Sequence, residues 1–138
     1  YFTAYPKVKE YMERVVAQAR ETGYVETIFG RRRYLPDIRS ANSVVRSLAE
    51  RNAINAPIQG SAADIIKIAM NRIHREFAAR GIRSKVILQV HDELVIDMLR
   101  EEQEEVTALV REAMEHAARL RVELVVECGV GENWLEAH

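Results

Sequence analysis

The chain has 138 residues, of which 48% are hydrophobic, 30% charged and 7% aromatic. That balance suits one domain with a real core and excludes disordered, collagen-like and low-complexity classes. The net charge of -1 hides a split: residues 1–91 carry a net of +8 and residues 92–138 a net of -9, with the sign changing at His91-Asp92. Such an asymmetry suggests one face for a polyanion and another that is solvated or binds cations. No apolar run approaches the roughly 18–20 residues of a membrane span, and the opening YFTAYPKVKE lacks the layout of a signal peptide. The expectation is a soluble, cytoplasmic protein without a membrane partner. One cysteine, Cys128, excludes an internal disulfide and a cysteine-based zinc site.

From Pro6 to about Thr22, Val8, Tyr11, Met12, Val15, Val16 and Ala19 recur at three- and four-residue spacing, which predicts an amphipathic helix stopped by Gly23. Residues 24–35, YVETIFGRRRYL, hold two short β-prone runs around Gly30 and predict a small hairpin, with Pro36-Asp37 as the next turn. Ser43 is a candidate N-cap for a helix from Val44 to about Asn55, which Pro57 must end or kink. Asn55 to Gly60 is then the irregular part. Ser61-Ala-Ala-Asp64 matches a capping box opening a further helical stretch, with Ile65, Ile66, Ala69, Ile73 and Phe77 as its apolar stripe before Gly81.

Lys85 to Val90 and Glu93 to Met98 are β-branched runs separated only by His91-Asp92, the pattern of a tight hairpin with those two residues at its tip. Glu101 to Arg119 reads as a helix with acids in its first turn and Val106, Leu109, Val110, Ala113, Met114 and Ala117 on one face. Val122 to Cys128 alternates as a strand. The second half is thus β-β-α-β, and the expected fold class is α+β with the hairpin and the last strand in one antiparallel sheet.

Two constellations carry chemistry. In Gln89-Val-His91-Asp92-Glu93, adjacent carboxylates on a rigid turn could meet a hard cation such as magnesium, although acids at hairpin turns also serve turn geometry and solubility. His91 lacks a second imidazole at ligand spacing, so a structural or substrate-contact role suits it better than zinc. Ser61 is explained as a cap and Cys128 as a packed thiol, which leaves no nucleophile. The second constellation is basic: Arg31, Arg32, Arg33, Arg39, Arg46 and Arg51 stand against only Asp37 and Glu50 in residues 31–51, and planar guanidinium forks suit phosphate oxygens. A solvated face is the competing account. Asn55 and Gln59 could read base edges or cap the helix break.

The run Arg51-Asn-Ala-Ile-Asn55-Ala-Pro-Ile-Gln59-Gly-Ser-Ala-Ala-Asp64, with Gln89-Val-His91-Asp92-Glu93, resembles the C-terminal end of family A DNA polymerases, the bacterial DNA polymerase I type. GYVETIFGRRRYLPDI and GENWLEAH extend the resemblance over essentially the whole chain. It implies a partial polymerase palm preceded by the end of the fingers, with about residues 1–42 as fingers and hairpin and about 43–138 as a long kinked helix and palm sheet. It further implies that Asp92 binds catalytic Mg2+ with Glu93 in support and that His91 lies near the primer terminus. Arg51, Asn55 and Gln59 would face the minor groove of the template–primer DNA, and Arg33 and Arg46 would contact duplex or template. The substrates implied are deoxynucleoside triphosphates, the setting bacterial replication and repair at the nucleoid. The family's other metal-binding aspartate and its nucleotide-binding helix have no counterpart here. Tyr1 therefore reads as a mid-protein start and His138 as the natural C-terminus, and the isolated chain, lacking the remainder of the polymerase, is expected to be inactive. The alternatives are a non-catalytic nucleic-acid-binding module and, more remotely, a phosphodiesterase built on Asp92-Glu93.

Overall fold

The computed structural model describes residues 3–138. Tyr1, read above as a mid-protein start, lies outside them. The chain forms two compact units, Tyr1–Asp64 and Ile65–His138. No helix among the described residues is long and apolar enough to cross a membrane.

In the first unit, helix α1 (Pro6–Thr22) has Pro6 in its opening turn, where the missing N–H costs nothing, and ends at Gly23, whose N–H returns to the Ala19 carbonyl at 2.7 Å. Arg39 covers two more carbonyls at that end, those of Arg20 and Glu21, so one arginine of the basic cluster serves as a helix cap. Strands β1 (Tyr24–Glu26) and β2 (Arg32–Tyr34) form the expected small hairpin, and their antiparallel register sets Tyr24 opposite Tyr34. Pro36–Arg39 then forms a 3-10 turn that buries Ile38. Val15, Ala19, Val25, Leu35 and Ile38 close on Ala49, Ala53 and Ala56.

Those alanines belong to helix α2, which runs unbroken from Ser43 to Arg80 with Pro57 inside it. Three expectations are corrected here. The N-cap is Asn42 and not Ser43: its Oδ1 accepts from the N–H groups of Val44 (3.0 Å) and Val45 (3.4 Å). Asn55 to Gly60 is not irregular, because Pro57 removes one rung of a ladder that the packing of Ala49, Ala53 and Ala56 sustains. Ser61 and Asp64 cap nothing, since no helix begins there; both are buried and bind the β1–β2 loop.

In the second unit, β3 (Lys85–Val90) and β4 (Glu93–Asp97) pair from Lys85 opposite Asp97 to Val90 opposite Glu93, with a bulge between Val86 and Leu88. β4 thus stops one residue short of Met98. Helix α3 is Gln103–Glu115, preceded by a 3-10 turn at Arg100–Glu102. It ends four residues before Arg119 because the chain turns at His116, and the returning segment donates Val126 N–H to the Glu115 carboxylate (2.9 Å). Val106, Leu109, Val110 and Ala113 pack with Ile73 and Phe77 of α2 and with Val86, Leu94 and Ile96 of the hairpin.

The last strand does not form: residues 122–128 pair with neither hairpin strand, and the sheets are two-stranded. Alternation encodes two faces but supplies no hydrogen-bonding neighbour, and Val122 and Val125 are exposed. Cys128 is exposed as well, not packed. A short helix, α4 (Trp134–Ala137), ends the chain. The class is α+β, with small antiparallel hairpins among helices.

Candidate functional site

The β3–β4 loop has two residues, His91 and Asp92, because Val90 already pairs with Glu93. His91 has φ +53°, the left-handed region that a two-residue hairpin demands and a β-carbon resists. The loop therefore holds strain at the residue beside the acids, a common property of functional positions. Asp92 is exposed, and among the described residues no hydrogen bond or ion pair engages its carboxylate. The carboxylate of Glu93 is engaged. Nε2 of His138 lies 3.0 Å from both of its oxygens, and Nδ1 of His138 lies 2.8 Å from the Trp134 carbonyl. The Trp134 carbonyl and then Glu93 raise the His138 pKa above the usual histidine value. The indole N–H of Trp134 also points at Nε2, at 2.8 Å. One nitrogen cannot accept from the indole and donate to the carboxylate together, so the imidazolium favours Glu93 and the neutral ring favours Trp134.

The hairpin is anchored at its base. The carboxylate of Glu102 accepts from the Ser84 hydroxyl (2.6 Å), the Ser84 N–H (2.9 Å) and the Arg83 N–H (3.0 Å), and the Ser84 hydroxyl accepts from Leu99 N–H (3.0 Å). The Ser84 hydroxyl first, then the Arg83 N–H, holds the Glu102 carboxyl below the ordinary glutamate range.

On the first unit, the β1–β2 loop is fastened to α2. Thr27 donates its hydroxyl to Asp64 (2.6 Å), and Arg31 donates Nε to the other Asp64 oxygen (2.9 Å). The Ile28 N–H donates to the Ser61 hydroxyl (2.9 Å). Thr27 comes so near α2 at Gly60 that a β-carbon there would stand 2.7 Å from its methyl. This fastening leaves an open cleft of about 250 Å³ lined by Arg31, Arg32, Arg33, Pro57 and Gln59 among others, which brings three arginines of the basic constellation and one of the two amides to one place. Arg32 is stacked 4.2 Å over the Tyr24 ring and paired with Glu26.

Because α2 is continuous, Arg51, Asn55 and Gln59 fall on one face at four-residue spacing, and all three are exposed. Among the described residues Asn55 and Gln59 make no side-chain hydrogen bond, and the continuous helix offers them no break to cap. Arg46 is otherwise occupied: it donates to the Ser40 carbonyl (3.1 Å) and faces Glu50 at 3.8 Å, where Arg20 also pairs. Sequence reasoning missed Thr27, Arg31 and Asp64 as a fastening and His138 as the partner of Glu93. Periodicity carries no trace of either, since both join residues more than thirty apart.

The profile of DNA polymerase family A matches residues 1–136. DNA polymerase I of Pseudomonas aeruginosa is 55% identical over 138 residues, covering 100% of this chain and 15% of that protein. DNA polymerase I of Lactococcus lactis is 51% identical over 137 residues, covering 99% of this chain and 16% of that protein. The solved POL domain of Pol1 from M. smegmatis, in complex with DNA primer-template and dNTP, superposes with a TM-score of 0.97 at 50% identity, covering 99% of this chain and 24% of that one. The chain belongs to DNA polymerase family A. It spans about a sixth of the length of the relatives it matches.

Proposed function

We propose that this chain forms the end of the fingers and the C-terminal palm of a DNA-directed DNA polymerase, a magnesium-dependent, template-directed nucleotidyltransferase of bacterial replication and repair at the nucleoid. The observation that carries the reading is the unpartnered Asp92 carboxylate on a strained two-residue loop. A hard cation needs an oxygen ligand with no competing positive charge. Asp92 meets that requirement; Glu93, held by His138, is a supporting group beside it. No group of three or more metal-ligating side chains occurs among the described residues, so a two-metal set would take its other ligands from the remainder of the polymerase.

Magnesium bound at Asp92 would lower the pKa of the primer 3′-hydroxyl and stabilise charge on the leaving pyrophosphate. The chain's own residues bind and align the DNA. Arg33, exposed at the cleft, contacts a backbone phosphate, and Arg46 plays a lesser part because Ser40 and Glu50 already hold it. Arg51, Asn55 and Gln59 face the minor groove, where amides meet acceptors common to all correct pairs and so check shape without reading sequence. His91 stands near the primer terminus.

In a full-length polymerase carrying this segment, Asp92→Asn should cut nucleotide incorporation by at least about 100-fold, the scale of losing one charge-stabilising group, while duplex binding stays within about twofold. The isolated 138-residue chain should extend no primer, since one carboxylate cannot hold two metal ions. Near-normal incorporation by Asp92→Asn would overturn the reading. The basic cleft of the first unit supports a second one, a nucleic-acid-binding module without chemistry; duplex binding by the isolated chain, together with full activity of Asp92→Asn, is the result that would favour it.

A further inference from the structure

Glu93 follows Asp92 directly, and two neighbouring carboxylates at a loop repel each other unless one is neutralised. The structure pairs Glu93 with a side chain 45 residues away. The segment that delivers it is closely built. Gly129 runs against the Ala137 carbonyl so tightly that any β-carbon would overlap it, and a β-carbon on Gly131 would stand 2.6 Å from that of Glu136. The Asn133 side chain accepts from Glu136 N–H (3.0 Å), the Glu132 N–H donates to the Glu136 carboxylate (2.8 Å), and Arg100 pairs with Glu132. These contacts fold residues 129–138 back on themselves and fix the ring of His138 between two acceptors, the Trp134 carbonyl and the Glu93 carboxylate. A ring with hydrogens on both nitrogens would satisfy both, and the indole N–H of Trp134 is the competing partner of Nε2.

We propose that the folded-back tail is a positioning device for the hairpin tip: His138, held by the Gly129–Ala137 turn, draws the Glu93 carboxylate aside and leaves Asp92 as the one free anion of the pair. The inference rests on the polymerase reading of Asp92. His138 is a positioning residue, since it acts through Glu93 and lies beyond the reacting atoms. Partners behind a metal ligand change activity by about 10–100-fold when removed, and His138, one residue further out, sets its effect at the foot of that range.

The test uses the full-length polymerase in single-nucleotide incorporation. His138→Ala should lower kcat about 10-fold, with KM for the nucleotide and affinity for duplex within about twofold and the melting temperature unchanged. His138→Gln keeps an N–H donor and should recover activity to within about threefold of the parent. Gly131→Val undocks the tail without altering His138 and should match His138→Ala. A kcat for His138→Ala within twofold of the parent, or a loss that His138→Gln fails to recover, would overturn the proposal. An inactive Asp92→Asn beside a normal His138→Ala defeats only the tail; an active Asp92→Asn defeats the polymerase reading beneath it.

Discussion

The two hairpins treat their polar groups in opposite ways. The β1–β2 loop spends them on its anchorage: Thr27, Ile28 and Arg31 are bonded to Ser61 and Asp64 of α2, and what is offered outward is Arg33 on the strand after it. The β3–β4 hairpin is tied at its base by Glu102 and keeps its tip open, with Asp92 unpartnered and His91 strained. A loop fastened at its tip makes a rigid platform for a charged surface. A loop fastened at its base presents a reactive group to whatever arrives.

The contrast breaks most visibly at Asp64. Asp64→Ala strips acceptors from Thr27 and Arg31 at a buried site and should cost about 1–3 kcal/mol in urea unfolding; a change under about 0.5 kcal/mol would mean that the loop is held by something else. The platform itself is probed by salt. In the full polymerase, Arg33→Ala should reduce the slope of log affinity for duplex against log salt by about one contact. Gln59→Ala should leave that slope alone and slow extension from mismatched primer ends. Equal slopes for both variants would remove Arg33 from the phosphate contacts.

Relief of strain at the open tip is a smaller effect. His91→Gly suits φ +53° and should raise stability by about 0.5–1 kcal/mol while lowering incorporation. Lower stability in that variant would show that the imidazole contributes packing which outweighs the strain. The base of the hairpin responds to acid. Glu102 has a depressed pKa in the folded chain, so its contribution is present above the ordinary glutamate value of about 4.3 and is lost as pH falls through the depressed one. Glu102→Gln should therefore melt below the parent at neutral pH, with the gap closing at acid pH. A gap that persists in acid would show that the neutral carboxyl anchors the hairpin better than the amide and that the charge is not what holds it.

Much of the fold is legible because it is local. The three- and four-residue spacing of α1, the turn residues of the first hairpin and the two β-branched runs around His91-Asp92 each determine their element within a dozen residues. What is not legible depends on distant partners. Pro57 reads as a break because the local rule is correct about the lost hydrogen bond; Ala49, Ala53 and Ala56 pack against the first unit's core and carry the helix past it. Residues 122–128 alternate as a strand should, yet alternation cannot state whether a neighbour is there to pair with. The candidate site divides in the same way. Asp92, Glu93 and the α2 stripe are contiguous or evenly spaced in sequence, whereas the use of Arg46 and Arg39 within the fold, the Thr27–Asp64 fastening and the grip of His138 on Glu93 emerge only in three dimensions.

Trp134 is the chain's one tryptophan, and its indole stands edge-on to His138 with ring centroids 5.4 Å apart. Emission excited at the red edge of the ultraviolet band is thus a report on the last few residues, quenched when a protonated imidazole lies beside the ring and released when the tail leaves it. Unfolding followed by that light and unfolding followed by helical circular dichroism observe different parts of the molecule: the first sees an exposed turn held by a few hydrogen bonds, the second mainly the long helix α2. Where the two curves separate, the cause is the placement of the fluorophore and not an intermediate in the folding of the cores.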